Sequence, residues 1–232
     1  MVMQIPLPID DRSSKLAIIH RRLFEHFGPL PPCWHPDPVW QLIFALTGKK
    51  TRGDKSNAAS FELMRRFRTP ADVMHASEKD IRNAIRNVTL PDEKAHEIKT
   101  ALAQIVEWRA DLALDFLTGW PEEDAMRWLE HLHGVGRKTA AAVLNFSTLR
   151  KPALVIDTHT LRVFARIGFI RFQDKAEQAY PKIVPYLPET WTADDFDTHH
   201  WLIKRLGQQI CRNRKGRCDR CPITDLCNTA DS

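Results

Sequence analysis

Two closely spaced glycines constrain the fold of this chain more than any other feature of its sequence. Residues 132–140 read Leu-His-Gly-Val-Gly-Arg-Lys-Thr-Ala. Because glycine has no side chain, Gly134 and Gly136 allow the backbone to turn sharply and to approach a ligand closely. Apolar residues recur at helical spacing on both sides of the turn, over 124–132 and 139–149. The pattern predicts a helix, a short hairpin and a second helix.

The predicted turn is suited to phosphate. The first N–H groups of a helix lack intrahelical acceptors, and the helix dipole makes that end positive. We expect such a hairpin to grip a nucleic-acid backbone without reading base sequence. The residues expected to contact DNA here are Gly134, Val135, Gly136, Arg137 and Thr139.

Other glycine motifs do not fit these residues. A phosphate-binding P-loop requires glycine directly before the lysine, where Arg137 stands. A dinucleotide-binding fingerprint requires a third glycine where Thr139 stands. A tight connection between two helices, with no ligand, is the remaining alternative.

Composition and charge narrow the class of protein. The 232 residues are 43% hydrophobic, which is enough for one large or two small cores. The net charge of +5 is mild, but positive residues concentrate in 204–220, where Asp219 alone is acidic. This patch is typical of a phosphate-backbone binder, with a solvated basic segment as the alternative. Its members are Lys204, Arg205, Arg212, Arg214, Lys215, Arg217 and Arg220.

The sequence shows no membrane or export signal. No apolar run approaches the roughly 18 residues of a spanning helix. The segment Met1–Asp11 lacks a basic region followed by a long apolar run. We therefore expect a cytoplasmic, nucleoid-associated protein.

Helical periodicity extends along the chain, and no predicted strands alternate with the helices. A first apolar stripe comprises Leu16, Ile19, Leu23 and Phe27, and Gly28 can end that helix. Helix-start signals occur at Thr69-Pro70, at Ser77 and at Pro91, and a last long helix is predicted for 193–210. Proline-rich residues 28–38 and extended residues 151–156 separate helical regions. The predicted class is all-α.

Four of the five cysteines lie close together near the end of the chain. Their pattern is C-x6-C-x2-C-x5-C, formed by Cys211, Cys218, Cys221 and Cys227. Four thiolates can bind a tetrahedral metal ion or an iron–sulfur cluster. Disulfides are disfavoured in a chain without an export signal. Structural zinc stays an alternative to a cluster on chemical grounds alone.

Three motifs occur in the order and separation of one known family. They are the hairpin, an Asp-Thr-His segment at 157–159, and the cysteine pattern. The chain resembles the endonuclease III family of helix-hairpin-helix DNA glycosylases. The match is strongest over residues 132–145, 155–166 and 199–227, and can be followed loosely from Pro38 onward.

The resemblance implies two helical lobes that flank a DNA-binding cleft. One lobe is a six-helix barrel over residues 37–150 that includes the hairpin. The other joins residues 1–36 to residues 151–232 and holds a 4Fe–4S cluster on the four cysteines. The resemblance also implies a monomer.

The implied activity is that of a bifunctional DNA glycosylase and abasic-site lyase. Lys138 matches the catalytic lysine and Asp157 the catalytic aspartate of the family. A damaged nucleotide is extruded from duplex DNA before attack at its sugar, and oxidised pyrimidines are the expected substrates. The lysine would expel the base, form a Schiff base and cut the strand by β-elimination, at damaged or abasic sites. Arg137 and the helix N-terminus would lower the pKa of Lys138, whereas the Asp157 carboxylate would raise it.

The chain departs from the family pattern at positions expected to recognise damage. Lys49 stands where the family places a glutamine that fills the gap left by the flipped nucleotide. Leu90 is kept within an altered loop, 89–94, and His133 replaces a proline. We expect Lys49, Leu90, Lys215 and Arg217 to contact DNA.

Two rival functions share part of these features. A monofunctional glycosylase of the adenine-mismatch type would share the cluster and the aspartate but would lack Lys138. A non-catalytic DNA-binding or redox-sensing protein would keep only the hairpin and the cluster. The presence of both Lys138 and Asp157 favours the bifunctional enzyme.

Overall fold

The structure is a computed structural model that describes residues 12–30 and 34–229. This part of the chain contains α-helices and short 3₁₀ helices and no β-strand, so the predicted all-α class is confirmed. None of its helices is long and apolar enough to cross a membrane. The segment Met1–Asp11, which was considered above for an export signal, lies outside the described residues.

The α-helices follow one another with short connections. They are α1 (Arg12–Phe27), α2 (Pro38–Thr47), α3 (Gly53–Arg66), α4 (Pro70–His75), α5 (Glu78–Ala84), α6 (Pro91–Arg109), α7 (Glu122–Glu130), α8 (Arg137–Phe146), α9 (Thr158–Arg166), α10 (Ala176–Ile183) and α11 (Ala193–Gln209). The 3₁₀ helices are Asp115–Gly119, Val184–Tyr186, Cys218–Arg220 and Thr224–Leu226.

The chain divides into two compact units. The first consists of Met1–Pro32 together with Ile156–Ser232, and the second is Cys33–Val155. The division taken from the family resemblance places its boundaries at residues 36/37 and 150/151. That division, and the six-helix barrel that it implies, stay predictions.

The second unit is built around α2. This helix is apolar on nearly all sides, which is typical of a helix in the middle of a core. The side chain of Asp37 caps it by accepting hydrogen bonds from the N–H groups of Val39 and Trp40. α2 packs against α8, α6 and α3, and α7 packs against α8. The fully buried side chains include Leu42, Ile43, Leu46, Ile98, Leu102, Val143 and Leu144.

Local signals determine where several helices begin. At α4, the Thr69 hydroxyl accepts from the Asp72 N–H while the Asp72 carboxylate accepts from the Thr69 N–H. At α5, the Ser77 hydroxyl accepts from the Asp80 N–H and donates to the Asp80 carboxylate. Pro91 occupies the first turn of α6, where its missing N–H costs nothing. These predicted helix starts are confirmed.

In the first unit the predicted stripe of α1 is buried at Leu16, Ile19 and Leu23. α1 packs against α11, and α11 packs against α9. The contact between α9 and α11 depends on Gly207, since an added Cβ there would lie 2.8 Å from the Cβ of His159. Real Cβ atoms do not approach so closely, so only glycine fits.

Replacing Gly207 with alanine should therefore destabilise the protein. Alanine favours a helix by about 1 kcal/mol over glycine. Overpacking against the His159 Cβ, which cannot swing away, should outweigh this and give a net loss of about 1–2 kcal/mol. Chemical denaturation measures the free energy of unfolding.

Gly53→Ala is the matched control. Gly53 is the first residue of α3, and a Cβ there would meet no atom within 4 Å. Its stability should be equal to or above that of the parent protein. Equal stabilities for the two variants would contradict the packing role of Gly207.

Candidate functional site

The sequence-predicted helix–hairpin–helix is confirmed in the second unit. α7 ends at Glu130 and α8 begins at Arg137. Between them Gly134 has φ +77°, a left-handed conformation that side chains disfavour. The Val135 N–H donates to the Leu132 carbonyl at 3.1 Å, which closes the turn.

α8 begins two residues earlier than predicted, because Gly136 takes the extended conformation of an N-cap. The helix therefore includes Arg137 and Lys138 in its first turn. Lys138 is half-buried there, at the positive end of the helix.

A lysine in the turn after α2 and a glutamate on α6 hold the hairpin in place. Lys49 Nζ donates to both carboxylate oxygens of Glu97, at 2.8 and 2.9 Å, and to the Gly134 carbonyl at 3.0 Å. The lysine and glutamate side chains are 30% and 22% exposed. Within the chain, the Lys49 ammonium is bonded to Glu97 and Gly134. The contact expected between Lys49 and DNA stays a prediction.

Arg137 is also engaged within the chain. Its guanidinium lies 2.9 Å from a carboxylate oxygen of Glu123 and 3.0 Å from one of Glu130, both on α7. Its side chain is only 15% exposed. The arginine thus fastens the start of α8 to α7. The DNA contacts expected of Arg137, and of the buried Val135 and Thr139, stay predictions.

A second buried lysine lies next to the hairpin, and the sequence reasoning missed it. Lys94 is 4% exposed and donates to the Thr47 carbonyl at 2.7 Å and to the Thr51 hydroxyl at 2.6 Å. Burial lowers the pKa of Lys94 to about 8, against an opposing effect of Glu97 and with support from the positive charges of Lys49 and Lys138. The three lysines and Glu97 therefore share one electrostatic environment.

The Thr51 hydroxyl extends this network to Leu90. It accepts a hydrogen bond from the Thr89 N–H at 3.2 Å. Leu90 follows with φ 54°, a left-handed backbone conformation that is unusual for leucine. The residue is 45% exposed. The loop keeps an apolar side chain in solvent, as a residue that inserts into a duplex would require. That role of Leu90 stays a prediction.

Asp157 lies in the first unit, as the N-cap of α9. Its Oδ1 accepts from the N–H groups of His159 and Thr160, both at 2.8 Å, and from the Thr160 hydroxyl at 3.1 Å. These bonds use one carboxylate oxygen and leave Oδ2 outside the cap. The helix that Asp157 caps, α9, begins at Thr158.

The surroundings of Asp157 favour its ionised form. Burial acts to raise the pKa of this carboxyl, but His200, the Thr160 N–H and Lys204 outweigh it, so the pKa lies below the ordinary value. Lys204 also lies 4.0 Å from the centre of the Trp201 ring. Asp157 is therefore a half-buried carboxylate that stays charged at neutral pH.

The four predicted cysteine ligands all lie in the first unit, after α11. Arg166 donates to the Cys211 sulfur at 3.1 Å, and Cys227 lies 3.5 Å from the Arg166 carbonyl. Burial raises the pKa of Cys221 to about 11, and the thiols of Cys211, Cys227 and Cys218 act in the same direction. The four sulfur atoms are thus near enough to influence one another.

The four cysteine side chains are nevertheless not arranged as a set of metal ligands. Within residues 12–30 and 34–229, no group of three or more His, Cys, Asp or Glu side chains is arranged to hold a metal ion. In type and number, four thiols fit either an iron–sulfur cluster or zinc.

The basic segment that precedes and surrounds the cysteines is exposed. The side chains of Arg212, Arg214, Lys215 and Arg217 all face solvent. An exposed cluster of this kind creates a positive potential that attracts polyanions. The DNA contacts of Lys215 and Arg217 stay predictions.

Comparison with known proteins shows the family. Residues 44–187 match the HhH-GPD superfamily base excision DNA repair protein family. The chain is 33% identical to endonuclease III of Rickettsia conorii, covering 91% of this chain and 96% of the relative. It is 30% identical to endonuclease III of Escherichia coli K12, covering 94% of this chain and 96% of the relative.

A solved structure has the same fold. It is a trapped endonuclease III–DNA covalent intermediate, 23% identical, with a TM-score of 0.77 over 94% of this chain and 96% of that one. The sequence matches, which cover more than half of the chain, confirm the resemblance that the motifs suggested. The chain belongs to the endonuclease III family of the HhH-GPD superfamily of base excision DNA repair proteins.

Proposed function

We propose that this chain is a bifunctional DNA glycosylase and abasic-site lyase of base excision repair. Its substrate is double-stranded DNA that contains damaged bases, with oxidised pyrimidines as the proposed class, or abasic sites. The observation that carries the proposal is the position of Lys138 in the first turn of α8, directly after the glycine turn and within electrostatic range of the buried Lys94. Membership of the endonuclease III family supports it.

The hairpin supplies the proposed grip on the DNA backbone. The first turn of α8 offers backbone N–H groups and the positive end of the helix dipole, both of which favour phosphate. The exposed basic residues of 212–217 add attraction that does not depend on base sequence. Recognition of the damaged base requires other side chains, and Leu90 is proposed to act there as a wedge that inserts into the duplex. The proposed setting is the cytoplasm, in association with the nucleoid, with the protein acting as a monomer.

Lys138 is the proposed nucleophile. Its neutral amine would form a bond to C1′ of the extruded nucleotide while the bond from C1′ to the base breaks and the base leaves with a proton. Loss of the ring oxygen from C1′ gives the Schiff base, and removal of a C2′ proton then expels the 3′ phosphate. Positive charge at Lys94 and at the helix end disfavours the protonated form of Lys138, which is the form that cannot attack.

Asp157 is the proposed electrostatic partner. Base departure places positive charge on the sugar, and an ionised carboxylate stabilises that charge. Because the cap uses Oδ1, the same side chain can start α9 and present Oδ2 to substrate. Asp157 thus has both a structural and a catalytic role in this proposal.

Cys211, Cys218, Cys221 and Cys227 are the proposed ligands of a 4Fe–4S cluster. The support for this assignment is their spacing along the chain, which is that of the family. When bound, such a cluster supplies iron–thiolate bonds that would cross-link residues 211–227. Arg166 would hold the first of these sulfur atoms by its hydrogen bond.

The role of Lys138 can be tested by reductive trapping. Borohydride should reduce the Schiff base and leave the protein covalently attached to a DNA duplex with an abasic site. Lys138→Ala should form no adduct and should cut abasic DNA at least about a hundredfold more slowly. Gel electrophoresis separates the adduct from free DNA.

Lys55→Ala, which removes an exposed lysine of α3, is the control and should be trapped like the parent. An adduct with Lys138→Ala at the parent rate would contradict the assignment. Base release by the parent without any nicking would favour a monofunctional glycosylase.

Asp157→Asn should separate the two roles of Asp157. Asparagine can still accept the hydrogen bonds of the cap, so the protein should stay folded. Without the negative charge, base release should slow by about a hundredfold or more. Single-turnover kinetics on a lesion-bearing duplex measure this rate.

The difference in stability between the parent protein and Asp157→Asn should depend on pH in a defined direction. Since the pKa of Asp157 is lowered by folding, its charge stabilises the native state above the ordinary carboxyl range. This contribution is lost as the pH falls, and the asparagine variant lacks it. Asp157→Ala should in addition lose about 1 kcal/mol with the cap.

Unchanged base release by Asp157→Asn would count against the catalytic role.

Metal analysis tests the proposed cluster. Purified protein should contain about four iron and four sulfide per chain and should absorb visible light. Cys218→Ala should lower the iron content, whereas replacing Cys33, the cysteine outside the pattern, should not. About one zinc per chain with no visible absorption would overturn the proposal in favour of structural zinc.

A further inference from the structure

We propose that Lys49 and Glu97 are positioning residues: their ion pair holds the glycine turn in place in front of Lys138, and Lys49 does not itself contact DNA. The inference rests on the proposed function only in taking Lys138 as the nucleophile. It assigns a role to two residues that the family pattern does not explain, one of which stands where a glutamine is usual.

The geometry of Lys49 directs its charge inward. A lysine ammonium has three N–H donors. The three contacts of Lys49, to Glu97 Oε1 at 2.8 Å, Glu97 Oε2 at 2.9 Å and the Gly134 carbonyl at 3.0 Å, account for all of them. A contact with phosphate would therefore have to replace a bond that already holds the turn.

Glu97 restrains the same turn from a second direction. A Cβ at position 134 would lie 3.0 Å from Glu97 Cδ and 3.2 Å from its Oε2. The carboxylate thus packs against the bare Cα of Gly134, while Lys49 holds the carbonyl of that residue. Because both charged side chains are largely covered, removing either one leaves the other as a partly buried, unpaired charge.

The loop that carries Lys49 is itself anchored. Lys94 binds the Thr47 carbonyl and the Thr51 hydroxyl, one on each side of Lys49. Glu97 lies on α6, one turn after Lys94. The pair is therefore fixed at both ends by elements of the same unit, and the Gly134 carbonyl is the part that it restrains.

The position of the turn matters for the proposed chemistry. Gly134 precedes Lys138 by four residues, and Gly136 is the N-cap of the helix that carries it. Displacing a reacting group by about 1 Å can slow a reaction about a hundredfold. A restraint on Gly134 is thus a restraint on where the lysine and the phosphate-binding N–H groups lie.

Hydrogen exchange of the apo protein tests the structural part directly. In Lys49→Met and in Glu97→Gln, the amides of residues 133–138 should exchange about tenfold faster than in the parent, with little change elsewhere. The matched control is the exposed pair of Arg65 and Glu62 on α3. Arg65→Met and Glu62→Gln should leave exchange in the hairpin as it is. Unchanged hairpin exchange in both test variants would overturn the proposal.

The salt dependence of DNA binding distinguishes positioning from contact. Loss of one phosphate contact lowers the slope of log K against log salt by about 0.9. With Lys49 as a positioning residue, Lys49→Met should weaken binding with an unchanged slope, and Glu97→Gln should weaken it as well. A slope reduced by about 0.9 in Lys49→Met, or tighter binding by Glu97→Gln through release of a cation, would overturn the proposal.

Borohydride trapping of the same variants links the pair to Lys138. Each single variant should be trapped about tenfold more slowly than the parent, and the double variant no more slowly than the slower single one, since the two residues act as a unit. Multiplied losses in the double variant would contradict a shared role. If the parent itself is not trapped, the proposed function fails, and hydrogen exchange still decides whether the pair holds the turn.

Discussion

The left-handed backbone at Gly134 is the constraint on which the proposed site depends. A chain that turns so tightly between α7 and α8 needs a residue with positive φ, and glycine adopts it at no steric cost. The same missing side chain leaves space for the Glu97 carboxylate. With the turn fixed, α8 begins at Arg137, and Lys138 lies in its first turn, at the positive end of the helix. The proposed phosphate contact and the proposed nucleophile therefore share a single geometric cause.

Elements with local signals could be predicted from the sequence. The glycine turn, the buried stripe of α1 and the caps at Thr69 and Ser77 each depend on residues a few positions apart. α3 gave no such signal, because it is polar and exposes Phe61. α10 contains an internal proline, Pro181, which argues against a helix in the sequence. Only packing against the rest of a unit can stabilise helices with weak signals of this kind.

The contacts around the candidate site were less accessible to sequence reasoning. Spacing and resemblance singled out Lys138, Asp157 and the cysteines, and the structure places the first two at helix N-termini. Lys49 reaches Glu97 and Gly134 across distant parts of the chain, so no local pattern could reveal those bonds. The position of Lys49 in the family pattern suggested a DNA contact. The Glu97 carboxylate determines which groups Lys49 can bind, and the position of that carboxylate depends on tertiary structure.

The ion pair between Lys49 and Glu97 also limits how this loop can evolve. A single exchange at position 49 to an uncharged residue leaves the Glu97 carboxylate unpaired against the turn. A single exchange at position 97 leaves the Lys49 ammonium unpaired. Neutral drift between a lysine-bearing and a glutamine-bearing loop therefore passes through a less ordered intermediate unless both sites change together. We expect lineages of this family to inherit the two positions as a linked pair of characters.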